Sequence, residues 1–272
     1  MNAYRKKLES TLRSDANKNY YAVSFSSNGC NFEILVNDTP VYRYFKEGGT
    51  TGMCPINPWI LKSGKQHIKV RLYPVKNHEE KGINAKRPLL LTVKYKNNPD
   101  LDLDSYQDVL SDFIPEITEG IPYFEYEAAF VAEVPYEMDG WESCIDLKQE
   151  SDLKKQVVKK YQKIGEVILK RDFQQLSEIL AIKNTETFFS LYMSEEEGKN
   201  ELFEMYEEMK EFTSITPMDD YQLSFYADRK LVILEDPSNR KLGFKIESEE
   251  REWCQLFFLG KKYGSNQLEV IF

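Results

Sequence analysis

Hydrophobic and polar residues alternate with a period near two through much of the first half of the chain. Aromatic and β-branched residues fill these runs, and Asn, Gly and Pro separate them. The clearest runs are YYAVSFS, CNFEILV, VYRYF, HIKVRLY, LLLTVKYK and FEYEAAFVAEV. Roughly seven to eight short strands separated in this way predict a β-sandwich. Ser63-Gly64 also predicts a hairpin turn between residues 59–61 and 68–72.

The pattern changes to a helical period after residue 150. Apolar residues recur there at three- and four-residue steps and predict a helix over residues 151–170. They are Leu153, Val157, Tyr161, Ile164 and Ile168. Capping-box spacing, in Asp172 with Gln175 and in Ser194 with Glu197, predicts the starts of two further helices. From residue 221 the period returns to two and predicts roughly four to five antiparallel strands.

These patterns predict a mainly β N-terminal sandwich followed by an α+β C-terminal domain, in which helices precede an antiparallel sheet. The change of period at residues 146–152 places the two domains at 1–148 and 149–272. In residues 149–272 an opening helix, a short capped helix and a late sheet follow one another. This order resembles the NTF2-like (cystatin-like cone) superfamily. The resemblance implies a cone-shaped cavity between sheet and helix, which members use for catalysis, ligand binding or dimerisation.

An acidic insertion at 98–120 interrupts the strand pattern of the first domain. Asp100, Asp102 and Asp104 are spaced like the start of an EF-hand calcium loop. Such a loop needs Gly at its sixth position and Glu at its twelfth, and this chain has serine at both. The spacing therefore favours a solvated insertion over a metal site. Ser105, with Asp108 three residues later, predicts the start of a short helix.

Charge and cysteine usage narrow the possible partners. The 272 residues include 45 acidic and 36 basic ones, a net charge of −9, which argues against binding to nucleic acid or to an anionic membrane. No apolar run reaches about 18 residues, and the charged start predicts no signal peptide. Cys30, Cys54, Cys144 and Cys254 have no CxxC spacing. They predict free thiols and a cytoplasmic protein.

Candidate catalytic chemistry is sparse. His67 and His78 are the two histidines of the chain, and residues 150–272 contain none. Catalytic NTF2-like members usually use an Asp/His pair, so the resemblance does not imply catalysis here. No phosphate loop, nucleophile elbow or HExxH motif is present. We therefore expect no catalytic residue, no metal and no cofactor. An enzyme that relies on Asp, Glu and Tyr alone is kept as an alternative.

Negative charge is concentrated in two segments. Residues 195–211 hold eight glutamates against Lys199 and Lys210, and residues 100–119 hold seven acidic residues and no basic one. Such fields attract basic proteins and speed their association, although a solvated helix face explains the same composition. The predicted binding residues are Glu195, Glu196, Glu197, Glu201, Glu204, Glu208, Asp102, Asp104 and Asp108.

These observations favour a non-catalytic protein-binding protein. A basic protein partner fits them best, such as a toxin or enzyme domain that an inhibitor or immunity-type protein would neutralise. One alternative is small-molecule or carbohydrate binding, at the sandwich surface or in the C-terminal cavity with Tyr161, Tyr226 or Trp253. Another is a structural subunit of a larger assembly. The sequence leaves the oligomeric state open.

Overall fold

The computed structural model describes residues 2–12, 17–75, 79–83, 85–111, 114–117 and 120–272, with the backbone alone at residues 2 and 3. The chain forms two compact units. One comprises residues 9–138, and the other comprises the first eight residues together with residues 139–272. The N-terminal helix therefore belongs to the unit that contains the C-terminal helices. Among the described residues, no helix is long and apolar enough to cross a membrane.

The unit of residues 9–138 is built from strands in two antiparallel sheets. The strands are β1 (Tyr20–Ser27), β2 (Asn31–Val36), β3 (Thr39–Tyr44), β4 (Thr50–Pro55), β5 (Gly64–Tyr73), β6 (Leu89–Lys96), β7 (Gln107–Ser111) and β8 (Phe124–Ala132). One sheet has the order β4-β1-β6-β7 and the other the order β3-β2-β5-β8. This confirms the predicted sandwich of seven to eight strands.

Alternating side chains from the two sheets meet in the core of the sandwich. Phe25 on β1 lies 5.7 Å from Phe32 on β2 and 4.4 Å from Tyr42 on β3, measured between ring centroids. On β1, Tyr21 lies 6.2 Å from Phe130 on β8. Such inward-facing rings explain the period-two pattern, because successive strand residues point to opposite faces.

Two local predictions in this unit are wrong. The helix expected from Ser105 and Asp108 is a 3-10 turn at Leu103–Ser105 followed by strand β7. Pairing with β6 satisfies the backbone there, and Lys94 opposite Asp108 adds a cross-strand charge pair. The hairpin expected around Ser63-Gly64 is also absent, because Asn57–Trp59 forms a 3-10 helix with Pro58 in its first turn. Strand β5 pairs instead with β2 and β8.

The other unit combines helices with short antiparallel strands. The helices are α1 (Asn2–Glu9), α2 (Leu153–Leu169), α3 (Phe173–Ile179), α4 (Ala181–Ser190) and α5 (Glu195–Met209). The strands are β9 (Ser214–Ile215), β10 (Gln222–Tyr226), β11 (Leu231–Glu235), β12 (Phe244–Glu247), β13 (Glu252–Gln255), β14 (Leu259–Gly260) and β15 (Glu269–Val270). They form two sheets, of order β10-β11-β14-β15 and β13-β12-β9. Helices followed by antiparallel strands confirm the predicted α+β class.

Helix α2 packs against the strands of this unit through one buried aromatic residue. The Tyr161 ring is fully buried and lies 5.1 Å from the Phe244 ring, and its hydroxyl donates to Phe257 O at 2.6 Å. The helix bounds match the predicted stripe of apolar residues. Helix α4 was not predicted. The antiparallel strands predicted from residue 221 divide between two sheets, since β12 pairs with β13 and β9 apart from the other strands.

Candidate interaction surfaces

Helix α5 begins with a complete capping box. Ser194 Oγ accepts from Glu197 N at 3.2 Å, and Glu197 Oε2 accepts from Ser194 N at 2.7 Å. Leu202 and Met209 are buried on the inner side of the helix. The box fixes the start of the helix, and the two apolar residues fix its rotation, so its outer side chains occupy defined positions.

The outer side of α5 carries the predicted glutamates. Glu197 is used by the capping box, whereas the other five predicted glutamates are exposed and form no ion pair with any residue that the structure describes. Glu207 is exposed too and pairs with Lys210. We define the acidic helix face by the exposed residues Glu195, Glu196, Glu201, Phe203, Glu204, Glu207 and Glu208.

Phe203 is the unexpected member of the acidic helix face. Its side chain is 63% exposed, although a phenylalanine normally contributes most when it is buried. Helical geometry places it one turn from Glu207 and two turns from Glu196. It lies about 100° around the helix from Leu202, away from the buried stripe. The face therefore combines a large exposed apolar side chain with surrounding carboxylates.

The predicted site in the acidic insertion divides into two parts. Residues 100–104, which we call the acidic loop, expose Asp100, Asp102 and Asp104, and none of these carboxylates has an ion pair among the described residues. Between them, Leu101 is 44% and Leu103 is 69% exposed. This loop repeats the combination found on α5, because apolar side chains stand in solvent between carboxylates.

A buried lysine holds the acidic loop in place. Lys96 is 7% exposed, and its Nζ donates to Pro99 O at 2.7 Å and to Leu101 O at 2.6 Å. The same ammonium lies 5.6 Å from the Tyr20 ring centroid and 5.1 Å from that of Tyr106. These carbonyl and cation–π contacts replace water around the charge, so they order the loop backbone.

Asp108 differs from the other predicted binding residues because cations neutralise its part of the insertion. It pairs with Lys94 at 2.8 Å, and that hydrogen bond lowers the pKa of Asp108. Glu116 similarly lies 3.1 Å from Lys86 and 3.3 Å from Arg87. The lack of basic residues within 100–119 was therefore misleading, since strand pairing brings cations from outside the segment. Asp112 and Glu119 lie outside the described residues.

The histidines, cysteines and carboxylates are also possible metal ligands. Within the described part of the chain, no three His, Cys, Asp or Glu side chains are placed to hold a metal ion. All four cysteines are free, and burial raises the pKa of Cys30 to about 12 and of Cys144 to about 11. His67 lies on β5, 2.8 Å from Glu127, and His78 falls outside the described residues.

The residues proposed for a C-terminal cavity lie mainly in the core. Tyr161 and Tyr226 are buried, and Trp253 is half-buried against Phe212 at 5.8 Å between ring centroids. Tyr161 packs against Phe244 on β12. A small pocket lies elsewhere in this unit, between α1, α4 and the start of α5. It is lined by Arg5, Thr185, Phe188, Glu195 and Gly198.

A buried carboxylate lies close to this pocket on α4. Glu186 is 5% exposed and accepts hydrogen bonds from the Tyr4 hydroxyl and, at 3.1 Å, from Gly140 N. Burial raises its pKa, while the two hydrogen bonds and the charge of Lys262 oppose that shift and Asp139 adds to it. The carboxylate is thus held in a site that disfavours its charged form.

We expect Glu186→Gln to be more stable than the parent protein, by a margin that grows as the pH rises. A carboxyl group whose pKa is raised by folding does not change the free energy of unfolding below its unfolded-state pKa. As the pH rises through its folded-state pKa, the group lowers that free energy. Glutamine keeps an acceptor for Tyr4 and Gly140 without this penalty. Urea unfolding of both proteins at pH 4, 6 and 8 should give similar midpoints at pH 4 and a growing advantage for the variant above it.

The matched control for Glu186→Gln is Glu204→Gln, at an exposed position on α5 without an ion pair among the described residues. This change should leave the difference from the parent protein nearly constant across the same pH range. A constant difference for Glu186→Gln as well would show that the buried carboxylate does not disfavour its charge.

Comparison with known proteins adds no relative: no protein family, curated protein or solved structure matches the chain. The NTF2-like resemblance of residues 149–272 therefore stays a prediction. The two acidic surfaces and the pocket beside α1 are the features of the molecule that indicate a function.

Proposed function

We propose that this chain is a non-catalytic binding protein that neutralises a basic protein, such as a toxin or enzyme domain, in the manner of an inhibitor or immunity protein. The observation that carries the proposal is Phe203, 63% exposed within the acidic helix face. Exposed aromatic residues that become buried in a complex supply much of its affinity. The surrounding carboxylates steer a basic partner toward the helix and exclude acidic ones.

The acidic loop supports the same proposal independently. Leu101 and Leu103 stand exposed between three aspartates, and the backbone beneath them is fixed by Lys96. Binding to a segment that is already ordered costs less conformational entropy than binding to a flexible one. The capping box gives α5 the same advantage. Both surfaces thus present apolar anchors and charge on ordered backbones.

A cytoplasmic location is part of this proposal. All four cysteines are free. Free thiols in a chain of this length are typical of proteins kept in a reducing environment. The net charge of −9 likewise favours a basic protein as partner over nucleic acid or an anionic membrane.

The test begins with affinity capture from the native lysate at low and moderate salt, followed by binding kinetics with the captured protein. A variant with Glu196, Glu201, Glu204 and Glu208 changed to Gln should associate about tenfold more slowly at low salt, because steering is lost. Phe203→Ala should instead speed dissociation, because the anchor is lost.

The matched control removes the same number of charges elsewhere in the same unit. Asp219→Asn, Asp220→Asn, Glu249→Gln and Glu250→Gln lie at exposed positions outside α5. Equal slowing by both sets would show that net charge alone attracts the partner, and the acidic helix face would have no specific role. Unchanged dissociation of Phe203→Ala would remove the anchor from the proposal.

A further inference from the structure

Helix α1 is a basic segment docked on an acidic unit. Its sequence, NAYRKKLE, carries Arg5, Lys6 and Lys7, and it belongs to the compact unit that also contains α5. Leu8 is 1% exposed, whereas Lys6 and Lys7 are exposed. The chain therefore already shows how a basic amphipathic helix can bind this unit.

Three side chains of α1 form specific polar contacts. The Tyr4 hydroxyl donates to the buried carboxylate of Glu186, with Lys262 Nζ 5.7 Å from the centre of the Tyr4 ring. Arg5 Nη2 donates to Met193 O at 2.7 Å, one residue before the N-cap of α5. Lys7 Nζ lies 2.7 Å from Asp139 Oδ2. The surface that receives these three side chains lies between α4, the start of α5 and residue 139, and we call it the α1 cleft.

The docking of α1 has the features of a reversible contact. The helix has eight residues, and helices shorter than about 12 residues are marginal in water, so its structure depends on the cleft. Tyr4 and Arg5 stay partly exposed, and the Lys7–Asp139 pair is solvated, with side chains 58% and 44% exposed. Solvated ion pairs contribute little affinity. Tethering to the same chain raises the effective concentration of the helix at this site.

The cleft also contains a polar group that α1 leaves unsatisfied. Thr185 is 2% exposed, and its Oγ1 has no hydrogen-bond partner within the described structure. Thr185 lines the pocket that Arg5, Phe188, Glu195 and Gly198 share. A buried hydroxyl without a partner is costly, and a ligand side chain that reaches it gains a hydrogen bond that α1 does not make. The cleft therefore offers a hydrogen-bonding group that its present occupant does not use.

We propose that the α1 cleft is the docking site for a basic amphipathic helix of the partner protein, and that α1 occupies it in cis as a competitor. The contacts of α1 define the chemistry of that helix: a phenolic donor for Glu186, an arginine one residue later, and a lysine and an aliphatic residue in the next turn. The identity of the partner rests on the proposed function, whereas the properties of the cleft do not.

The experiment uses the full chain and a labelled peptide with the sequence of residues 1–12. In one variant, Tyr4→Ala, Arg5→Glu and Leu8→Ser release α1, and Arg5→Glu alone serves as a milder second variant. Fluorescence anisotropy should show the peptide binding at least tenfold more tightly to the released variant than to the parent chain, because tethered competition is removed. A peptide with Tyr4→Phe and Arg5→Glu should bind at least tenfold more weakly.

Two controls separate this proposal from the acidic helix face. Circular dichroism establishes that each variant is folded, and Glu201→Gln, Glu204→Gln and Glu208→Gln in the released variant should leave peptide affinity within twofold. Loss of binding in that background would place the peptide on the α5 glutamates and overturn the cleft. Absence of binding to either folded released variant would overturn it as well, and would leave the proposed function to its own kinetic test.

A second copy of the chain is the competing occupant, and sedimentation distinguishes it. A dimer of the parent chain at micromolar concentration that disappears in the released variant would show exchange of α1 between copies and overturn the proposal. A monomer in both cases, with peptide binding to the released variant, supports a partner helix. Once the partner has been captured, the released variant should bind it more tightly than the parent chain does.

Discussion

The substitution Glu33→Ala is expected to lower the free energy of unfolding of the sandwich by about 3–5 kcal/mol. Glu33 is 1% exposed on the central strand β2, 2.8 Å from Arg43 Nε and 3.1 Å from Arg71 Nη1. Arg71 also reaches Glu125 at 2.9 Å, so charges of alternating sign cross all four strands of this sheet. Alanine would remove the carboxylate that Arg43, 11% exposed, shares with Arg71. Removing one member of a buried ion pair is costly because the remaining charge is desolvated without compensation.

Glu127→Ala is the matched control for this prediction. Glu127 lies in the same sheet and also has two basic neighbours, the His67 imidazole at 2.8 Å and Lys69 at 3.7 Å, but its side chain is 47% exposed. Exposed pairs contribute about 0–1 kcal/mol, so the control should unfold almost as the parent does. Urea unfolding, with hydrogen exchange of the β2 and β5 amides, measures both. Equal losses would show that burial adds nothing to the Glu33 cluster.

Glu33 also shows where prediction from sequence stops. Strand alternation predicted β2 correctly, yet a glutamate within such a run reads as a solvent-facing residue. Its burial depends on two arginines that arrive from neighbouring strands, at residues 43 and 71. The same dependence explains β7, whose helix-like start is overridden because β6 offers it an open edge and Lys94 a partner. The local sequence pattern predicted most of the other strands of this unit, whereas pairing between strands determined the burial of Glu33 and the conformation of β7.

The candidate surfaces were predictable to a similar extent. Glutamate density identified α5 and the acidic loop, and capping spacing located the helix start at Ser194. Phe203 could have been found from the helical wheel, because it lies off the stripe of Leu202 and Met209. The α1 cleft could not have been found, because nothing in NAYRKKLE indicates that these residues join a unit that resumes at residue 139. That contact joins positions nearly two hundred residues apart, such as Tyr4 and Glu186.

The substitution Gly243→Ala is expected to cost about 3 kcal/mol or more, because it combines backbone strain with a collision. Gly243 has φ +89°, and a Cβ atom there would lie 1.9 Å from the backbone oxygen of Gln255. That oxygen belongs to the residue that pairs with Phe244 at the start of the β12–β13 ladder. Relief requires movement of the backbone, since no flexible side chain can yield. The ladder should therefore open at this end and lose hydrogen-exchange protection.

Gly264→Ala separates the two causes. Gly264 has φ +79°, but nothing lies within 4 Å of the position that a Cβ would take. Alanine there incurs only the left-handed backbone cost of about 1–2 kcal/mol, partly offset by a less flexible unfolded chain. The difference between the two urea-unfolding free energies measures the collision alone. If both variants lose the same amount, the backbone of β13 yields freely at Gln255, and the close approach of the two strands contributes nothing to the stability of this unit.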